Sequence, residues 1–266
     1  MQMLSPDLLD RRALALIELV DYAGRQLLSP AQLAGEGMQF YAKGGGRYAL
    51  LEAAGFESHT SAFAAPPQSP ANGSKALGFD IDIADPIHMS RRAELKLPRS
   101  ADPETRDNVD SLFQPLRIMI LPSNGAPVPA TAAAIRVCVI HKTNKKLVGN
   151  ALVRVKSTNG KFAGSGFTSV SGEALVIIPY FAISFTTGGA TVEDSLAATV
   201  TVVADPANAL LTDPADLAAK MMQPDMSAPL ADPDKIAAQF AAPAGGTAIR
   251  LSTRKLETVK VEWSPP

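Results

Sequence analysis

The stretch "AAIRVCVIHKTNKKLVGNALVRVKSTNGKFAGSGFTSVSGEALVIIP", residues 133–179, decides the fold class. It consists of short apolar runs separated by polar turn residues, and apolar and polar side chains alternate strictly in "IRVCVI" and "LVRVKS". A period of two is typical of β-strands with one face in a core and the other in water. The stretch therefore predicts strands at residues 133–141, 151–157, 160–169 and 173–181.

The same pattern of short apolar runs separated by turn residues continues towards both ends of the chain. The loops between the apolar runs are rich in glycine, which supplies positive φ, and in proline, which withholds a hydrogen-bond donor. Further strands are predicted at residues 13–21, 37–43, 46–53, 76–84, 93–98, 116–123 and 195–205.

A weak internal duplication indicates two sandwiches in tandem. The opening "LVDYAGRQL" of the first half matches "VIHKTNKKL" of the second, with a strand, a polar turn, a basic residue and a leucine in each. Further along, "GGGRYALLEAAGF" corresponds to "SVSGEALVIIPYF". The predicted fold is mainly β, with two antiparallel β-sandwiches in tandem.

The domain boundaries follow from changes in composition. The polar segment 99–115, with two prolines, is a credible linker, and after residue 205 the chain becomes rich in alanine, proline and aspartate. Asp213 and Asp232 each precede a proline, which predicts two short helices with aspartate as N-cap. Residues 247–263 return to strand alternation and predict a last edge strand. The predicted units are residues 1–105, 106–205 and a helical C-terminal segment 206–266.

Composition limits the classes of partner and the cellular location that we expect for the protein. The formal net charge is −1 and charged residues make up 19% of the chain, so no overall field attracts nucleic acid or anionic lipid. The N-terminus shows neither a secretory signal pattern nor an apolar run long enough to span a membrane, so we expect a cytoplasmic protein. The single cysteine, Cys138, excludes an intrachain disulfide and is predicted to be a small buried hydrophobe.

The pattern from His141 to Pro179 resembles the carboxypeptidase regulatory-like, transthyretin-type β-sandwich. The resemblance rests on "GNALVRV" after a polar turn and on a second turn of the form Thr-x-x-x-Gly, matched by Thr168 and Gly172. It implies a module that stabilises, spaces or binds and seldom catalyses.

The wider arrangement resembles accessory proteins of contractile, phage-tail-like injection systems. The segments that carry this resemblance are "LIELVDYAGRQL", "DIADPIHMSRRAELKLPRSADP" and "SLFQPLRIMILPS", followed by the regulatory-like unit. It implies partners among the tube, sheath or baseplate proteins of such a particle, and a homo-oligomer within a ring.

Serines beside glycines raise the question of a nucleophile. A nucleophile elbow needs G-x-S-x-G between a strand and a helix, whereas "SVSGE" leads into a β-branched run, so the segment 169–172 is predicted to be a turn. A hydrolase using Ser165 or Ser171 with a remote histidine is the weakest hypothesis, because no organising motif accompanies these serines.

Metal binding has little support in the sequence. The histidines His59, His88 and His141 are far apart and form no pair at ligand spacing, and a turn-capping hydrogen bond is predicted for His141. Asp80, Asp82 and Asp85 are compatible with a weak calcium site, but alternation with apolar residues explains them as the wet face of a strand. No catalytic, cofactor-binding or metal-binding residue is assigned.

Four other segments have a structural and a functional interpretation. We interpret "KGGGR" (43–47) as a hairpin connection in preference to a phosphate nest. We interpret "HKTNKK" (141–146) first as a solvated turn and only second as a contact for an acidic neighbour. The methionines of "KMMQPDM" suit either a partner groove or packing on the chain's own sandwich. The segment 60–76 is predicted to be an extended surface loop, whose alanines, prolines and Phe63 could lie along a neighbouring subunit.

The sequence thus favours a non-enzymatic structural component, a cap, tube-end, baseplate or sheath-associated part of a contractile tail-like particle, acting through protein–protein assembly. The alternative is a carbohydrate- or peptide-binding β-sandwich module. Aromatic residues are only 6% of the chain, with Trp263 as the single tryptophan, which leaves few stacking platforms for sugars.

Overall fold

The computed structural model describes residues 13–27, 29–56, 75–100, 102–179, 195–222, 230–241, 246–252 and 256–265. Its first sandwich consists of a sheet in the order β3-β4-β1-β7 and a sheet in the order β2-β5-β6. The strands are β1 Ala15–Val20, β2 Ala31–Ala34, β3 Gln39–Gly44, β4 Arg47–Glu52, β5 Lys75–Ile83, β6 Arg91–Leu97 and β7 Leu116–Met119.

The second sandwich has one sheet in the order β11-β10-β13-β15 and another in the order β12-β8-β9-β14, with β16 paired to β8. The strands are β8 Ala133–His141, β9 Leu147–Gly149, β10 Ala151–Ser157, β11 Ala163–Phe167, β12 Glu173–Ile178, β13 Ser195–Ala204, β14 Leu210–Thr212, β15 Thr247–Ser252 and β16 Glu257–Trp263.

Two separate cores form because alternate side chains of each strand point inward. In β6 the burial alternates without exception along the strand, and its inward side chains join Ile17, Leu50 and Phe79 in the first core. The second core gathers the inward side chains of β8, β10, β12 and β13 around Val137 and Val153. The mainly β sandwich fold predicted from the alternation is confirmed.

Two strand pairs are parallel, not antiparallel as expected throughout. β7 lies parallel to β1, with Ile17 opposite Leu116, so this strand shares the first core although the sequence suggested the second sandwich for it. β16 lies parallel to β8, with Val259 opposite Val137. In both pairs the strands are far apart in the chain, which allows the crossover that a parallel pair requires. The division at residues 105 and 205 stays a prediction.

The predicted final edge strand is two strands in different sheets. β15 is an edge strand on β13, as expected, whereas β16 crosses to the opposite sheet and buries Val261 and Trp263 in the second core. Both strands alternate apolar and polar residues, so the sequence pattern alone does not show that they belong to different sheets.

The helices form where the aspartate–proline pairs predicted them. A 3-10 turn, Pro214–Asp216, leads into α1, Leu217–Met222, and a second helix, α2, spans Pro233–Gln239. The Asp213 carboxylate accepts a hydrogen bond from the Ala215 amide, and that of Asp232 accepts from the Asp234 and Lys235 amides. None of the described helices is both long and apolar enough to span a membrane.

Cys138 lies in a position that differs from the sequence-based prediction. The prediction of a buried hydrophobe was wrong, because Cys138 alternates with the core residues Val137 and Val139 and therefore lies on the outer, half-buried face of β8. Burial raises the pKa of its thiol, with a smaller contribution from the nearby Glu173 carboxylate.

Candidate assembly surfaces and the junction between the sandwiches

Arg91, the first residue of β6, is the centre of the junction between the two sandwiches. Its Nη1 donates to the carbonyl oxygen of Met119 at 2.9 Å, and its Nε donates to that of Arg92 at 3.1 Å. Its Nη2 donates to the carboxylates of Asp232 at 2.9 Å and Asp234 at 2.7 Å. The Arg91 side chain is only 4% exposed, so this is a buried ion pair that joins the first sandwich to α2.

Asp232 is the acidic partner in this ion pair. Its Oδ1 accepts from Arg91 and also from the amides of Asp234 and Lys235, so one carboxylate both caps α2 and anchors it. The preceding backbone adds to the anchor, because the Arg92 amide donates to the carbonyl of Ala231 at 2.9 Å. Docking and helix initiation therefore depend on each other.

The helix α2 also packs on the second sandwich. Ile236 is buried in a cluster with Leu152, Phe167 and Val203, and Leu121 joins it from the chain between the sandwiches. A further cluster brings Tyr22 and Ile87 of the first half against Ala126, Ala132, Ala134, Leu175 and Ile177. The short helix is therefore a wedge between the sandwiches, with charged contacts to the first and apolar contacts to the second.

A cleft of about 500 Å³ lies beside this wedge. One wall carries Arg92, which pairs with Asp80 at 3.0 Å, and Glu94, which pairs with Lys235 of α2 at 3.3 Å. Amide side chains line the other wall, where Asn150 Nδ2 donates to the carbonyl of Asn208 and Asn208 Nδ2 donates to Asp205. Clefts of this size at a junction between domains are frequent ligand sites.

The outer face of the first sheet carries a row of charges across three strands. Glu18 of β1 accepts from Nε of Arg47 at 3.2 Å and from Nε of Arg117 at 2.8 Å. The arginines are 61% and 73% exposed, whereas the glutamate is 9% exposed. This arrangement leaves both guanidinium groups at the surface with donors available to a neighbour.

Large apolar side chains are exposed at the margins of the molecule. Tyr41 on β3 is 59% exposed, Met119 on β7 is 43% exposed, and Met222 at the end of α1 is 85% exposed. Val109 and Phe113 lie in the segment between β6 and β7, where Arg99 donates to the carbonyls of Val109, Ser111 and Gln114. In its described residues the predicted linker is thus held by these hydrogen bonds and presents two apolar side chains.

The serine-rich segment is a turn, as the sequence predicts. Gly172 has φ of +68° and its amide donates to the carbonyl of Ser169, while the hydroxyls of Ser169 and Ser171 lie 2.8 Å apart. Thr168 Oγ1 accepts from the Ala151 amide at 2.8 Å and fixes the turn to β10. Ser165 lies in β11 opposite Arg154 of β10.

The two histidines among the described residues make hydrogen bonds within turns. Nδ1 of His141 accepts from the amides of Thr143 at 3.3 Å and Asn144 at 3.4 Å, which confirms the predicted turn-capping bond. Nδ1 of His88 lies 2.9 Å from the carboxylate of Asp85. His59 lies outside the described residues.

The three aspartates of "DIDIADP" have separate partners. Asp80 pairs with Arg92, Asp82 accepts from Ser90 Oγ at 2.7 Å, and Asp85 accepts from His88. Burial raises the pKa of Asp85, but hydrogen bonds from Ser29, His88 and two backbone amides outweigh it and lower the pKa to about 2. In the described part of the chain no three histidine, cysteine, aspartate or glutamate side chains group as a metal site would require.

The remaining predicted segments are local structure where they are described. Gly44, Gly45 and Gly46 all have positive φ and close the β3–β4 hairpin, and Gln26 Nε2 donates to the carbonyl of Gly45. In "HKTNKK" Lys145 Nζ lies 2.6 Å from Glu262, so the acidic neighbour is in the same chain. The residues 60–74 of the predicted surface loop and residues 223–226 of the methionine segment lie outside the described residues.

No family model matches the chain, and no curated protein is significantly similar to it in sequence. Among solved structures it is similar to the TIE protein of Bacillus anthracis at 9% identity, over 94% of this chain and 33% of that one, with a TM-score of 0.24. The major pilin subunit BcpA of Bacillus cereus matches at 10% identity over 88% and 54%, with a TM-score of 0.23.

The shaft pilin SpaA of Lactobacillus rhamnosus GG matches at 9% identity over 95% of this chain and 98% of its own, with a TM-score of 0.22. The chain spans about a third of the TIE protein and about half of BcpA.

Proposed function

We propose that this chain is a non-enzymatic structural component that acts through protein–protein assembly, and more narrowly a cap, tube-end, baseplate or sheath-associated part of a contractile tail-like particle. Its partners are then the tube, sheath or baseplate proteins and further copies of itself in a ring. It resides in the cytoplasm until it is incorporated.

The junction between the sandwiches is the observation that carries this proposal. Domains in one chain move relative to each other unless their interface is large or tightly held. Here a buried ion pair between Arg91 and Asp232 and the apolar contacts of Ile236 hold α2 to both sandwiches. A part that transmits force or sets a spacing needs this stiffness, whereas a module that only captures a ligand does not.

The exposed margins supply the contacts that such a part needs. Tyr41 and Met119 project from the two outer strands of one sheet, and Phe113 projects from the loop held by Arg99. Isolated side chains of this kind contribute little singly, but ring symmetry repeats each contact around the assembly.

Negative-stain images of particles from a strain without this chain test the proposal. We expect particles of altered length, unfinished ends or failed contraction, and we expect complementation with the unaltered chain to restore them. Particles of normal length, termini and contraction would contradict a structural role in the particle.

The cleft beside α2 favours a second candidate, a carbohydrate- or peptide-binding module. Its amide and carboxylate groups, among them Asn150, Asp205 and Asn208, suit sugar hydroxyls or peptide groups. Glycan-array binding that disappears on Asn208→Ala would favour this candidate. Retained binding in that variant would place the ligand elsewhere.

A further inference from the structure

The outer face of the first sheet carries two arginines at fixed positions. Glu18 lies opposite Arg47 in the pairing of β1 with β4 and opposite Arg117 in the pairing of β1 with β7, so the three side chains form one row across the sheet. The Glu18 side chain is 9% exposed and accepts from Nε of each arginine, and each guanidinium has four further N–H donors. Because both arginines are mostly exposed, the row presents a net positive charge to a neighbouring molecule.

Two large apolar side chains flank this row on the same face. Met119 follows Arg117 by two residues on β7, and alternate residues of a strand share a face. Tyr41 on β3 lies opposite Ala49 of β4, whose partner on β1 lies two residues before Glu18. Tyr41 is 59% exposed and Met119 is 43% exposed. We call the surface formed by these four exposed side chains the basic face: Tyr41, Arg47, Arg117 and Met119.

The loop between β6 and β7 has the opposite charge. Residues 102–113 contain four acidic residues and one arginine, which gives a net charge of −3, and the acidic residues are all exposed: Asp102, Glu104, Asp107 and Asp110. Val109 and Phe113 of the same segment are 79% and 52% exposed. We call residues 102–113 the acidic loop. It combines negative charge with apolar side chains, as the basic face combines positive charge with apolar side chains.

Hydrogen bonds within the chain hold the acidic loop. Nη2 of Arg99 donates to the carbonyl oxygens of Val109 at 2.6 Å and Ser111 at 2.8 Å. The Leu112 amide donates to the carbonyl oxygen of Ser100 at 2.7 Å. A loop that is fixed in this way loses little conformational entropy when its exposed side chains bind a partner.

We propose that the acidic loop of one copy of this chain docks on the basic face of a second copy. The inference rests on the proposed function, because it names the contact between neighbouring copies in the ring. Charge complementarity selects this occupant, since the acidic side chains of the loop meet Arg47 and Arg117 while the apolar side chains of the two surfaces pack together. Because both surfaces lie on one chain, each copy can receive one neighbour and dock on another.

The contact is weak between two copies and stronger in an assembly. Its charges are exposed, so each pair contributes little, and its apolar part consists of only four side chains. We expect a dissociation constant of about 10–100 µM for two copies in solution. A particle that holds several copies close together raises their effective concentration, which makes the same contact sufficient.

Sedimentation equilibrium of the full chain tests the inference at concentrations from about 1 µM to about 0.5 mM. We expect the average mass to rise with concentration. Sodium chloride at about 0.5 M should weaken the association at least about fivefold, because it screens exposed charges. A chain that remains monomeric over the whole range would overturn the inference.

Two variants each remove one of the two surfaces. Tyr41→Glu places a negative charge on the basic face, and Val109→Lys places a positive charge on the acidic loop. Each should weaken self-association at least about tenfold, and cooperative unfolding in urea should confirm that the exposed substitutions leave the fold intact. Met222→Glu and Ala163→Lys introduce the same charges at other exposed positions and should leave self-association unchanged.

A mixture of the two variants tests whether the surfaces bind each other. The Tyr41→Glu chain keeps its acidic loop and the Val109→Lys chain keeps its basic face, so an equimolar mixture should form a one-to-one complex at concentrations where neither variant associates alone. A mixture that stays monomeric would contradict the pairing of these two surfaces. Self-association that survives either variant unchanged would contradict it as well.

Other outcomes separate this contact from the proposed function. If the chain is required for normal particles but is monomeric at every concentration, only the contact is wrong. If Tyr41→Glu abolishes binding to the tube protein and leaves self-association unchanged, the basic face binds a different protein and the inference is wrong. If particles are normal without the chain, the proposed function fails, and sedimentation alone decides whether copies associate through these surfaces.

Discussion

Nη2 of Arg91 lies 2.9 Å from the carboxylate of Asp232, across 141 positions of sequence, and both side chains are almost completely buried. This contact fastens the helix α2 to the first sandwich while Ile236 on the same helix packs into the second. Because the Asp232 carboxylate also caps α2, loss of either charge affects the helix and the junction together.

Arg91→Ala should destabilise the protein by about 3–5 kcal/mol, because it leaves a buried carboxylate without its partner. Urea unfolding followed by circular dichroism measures the change. The control is Arg92→Ala, which removes the neighbouring arginine from an exposed pair with Asp80 and should cost less than about 1 kcal/mol. Equal effects of the two variants would contradict the junction described above.

Ile236→Ala should lower the free energy of unfolding by about 2–4 kcal/mol, because the side chain fills a closed apolar cluster. We also expect faster proteolysis of the segment that contains α2, since the helix loses its hold on the second sandwich. Gln239→Ala, exposed on the same helix, is the control and should leave both measurements unchanged. A protein that tolerates Ile236→Ala without either effect would show that α2 is not a wedge.

Gly172→Ala should cost about 2–3 kcal/mol. The residue has φ of +68°, and an added Cβ would lie 2.9 Å from the carbonyl oxygen of Val139. Gly160→Ala is a matched control, because Gly160 has φ of +71° but an added Cβ would make only an ordinary contact, 3.8 Å from Lys156 Cε, and it should cost only about 1 kcal/mol. Thermal unfolding of both variants gives the difference in their stabilities, which measures the steric cost of a side chain at the glycine of the Thr-x-x-x-Gly turn.

Asp85 should contribute to stability at neutral pH and lose that contribution in acid. Its hydrogen bonds to Ser29, His88 and backbone amides lower the pKa from 3.8 to about 2, so folding favours the ionised carboxylate. The stabilisation is present above pH 4 and disappears as the pH falls towards 2. Asp85→Asn should therefore destabilise the protein by about 1–2 kcal/mol at pH 6 and have little effect near pH 2. A pH-independent difference would contradict this account.

Much of the fold could be predicted because its signals are local. Alternation in "IRVCVI" and "LVRVKS" identified β8 and β10, and the aspartate–proline pairs identified the start of both helices. The strands β2, β9 and β14 were missed because three or four residues are too few to show a period.

The partners of these elements could not be predicted, because pairing depends on distant residues. The pattern of β7 indicates a strand but does not reveal that it pairs with β1, about a hundred positions earlier. Alternation around Cys138 indicated a strand, but not that this side chain lies on the outer face. Asp232 was identified only as a helix cap, and its pairing with Arg91 has no sequence signature.

The most direct test of the central claim is size-exclusion chromatography with light scattering on the purified full chain, alone and mixed with the candidate tube protein. We expect a complex whose mass corresponds to a defined number of copies of each protein. A chain that elutes as a monomer alone and never co-elutes with tube, sheath or baseplate proteins would contradict assembly as its function.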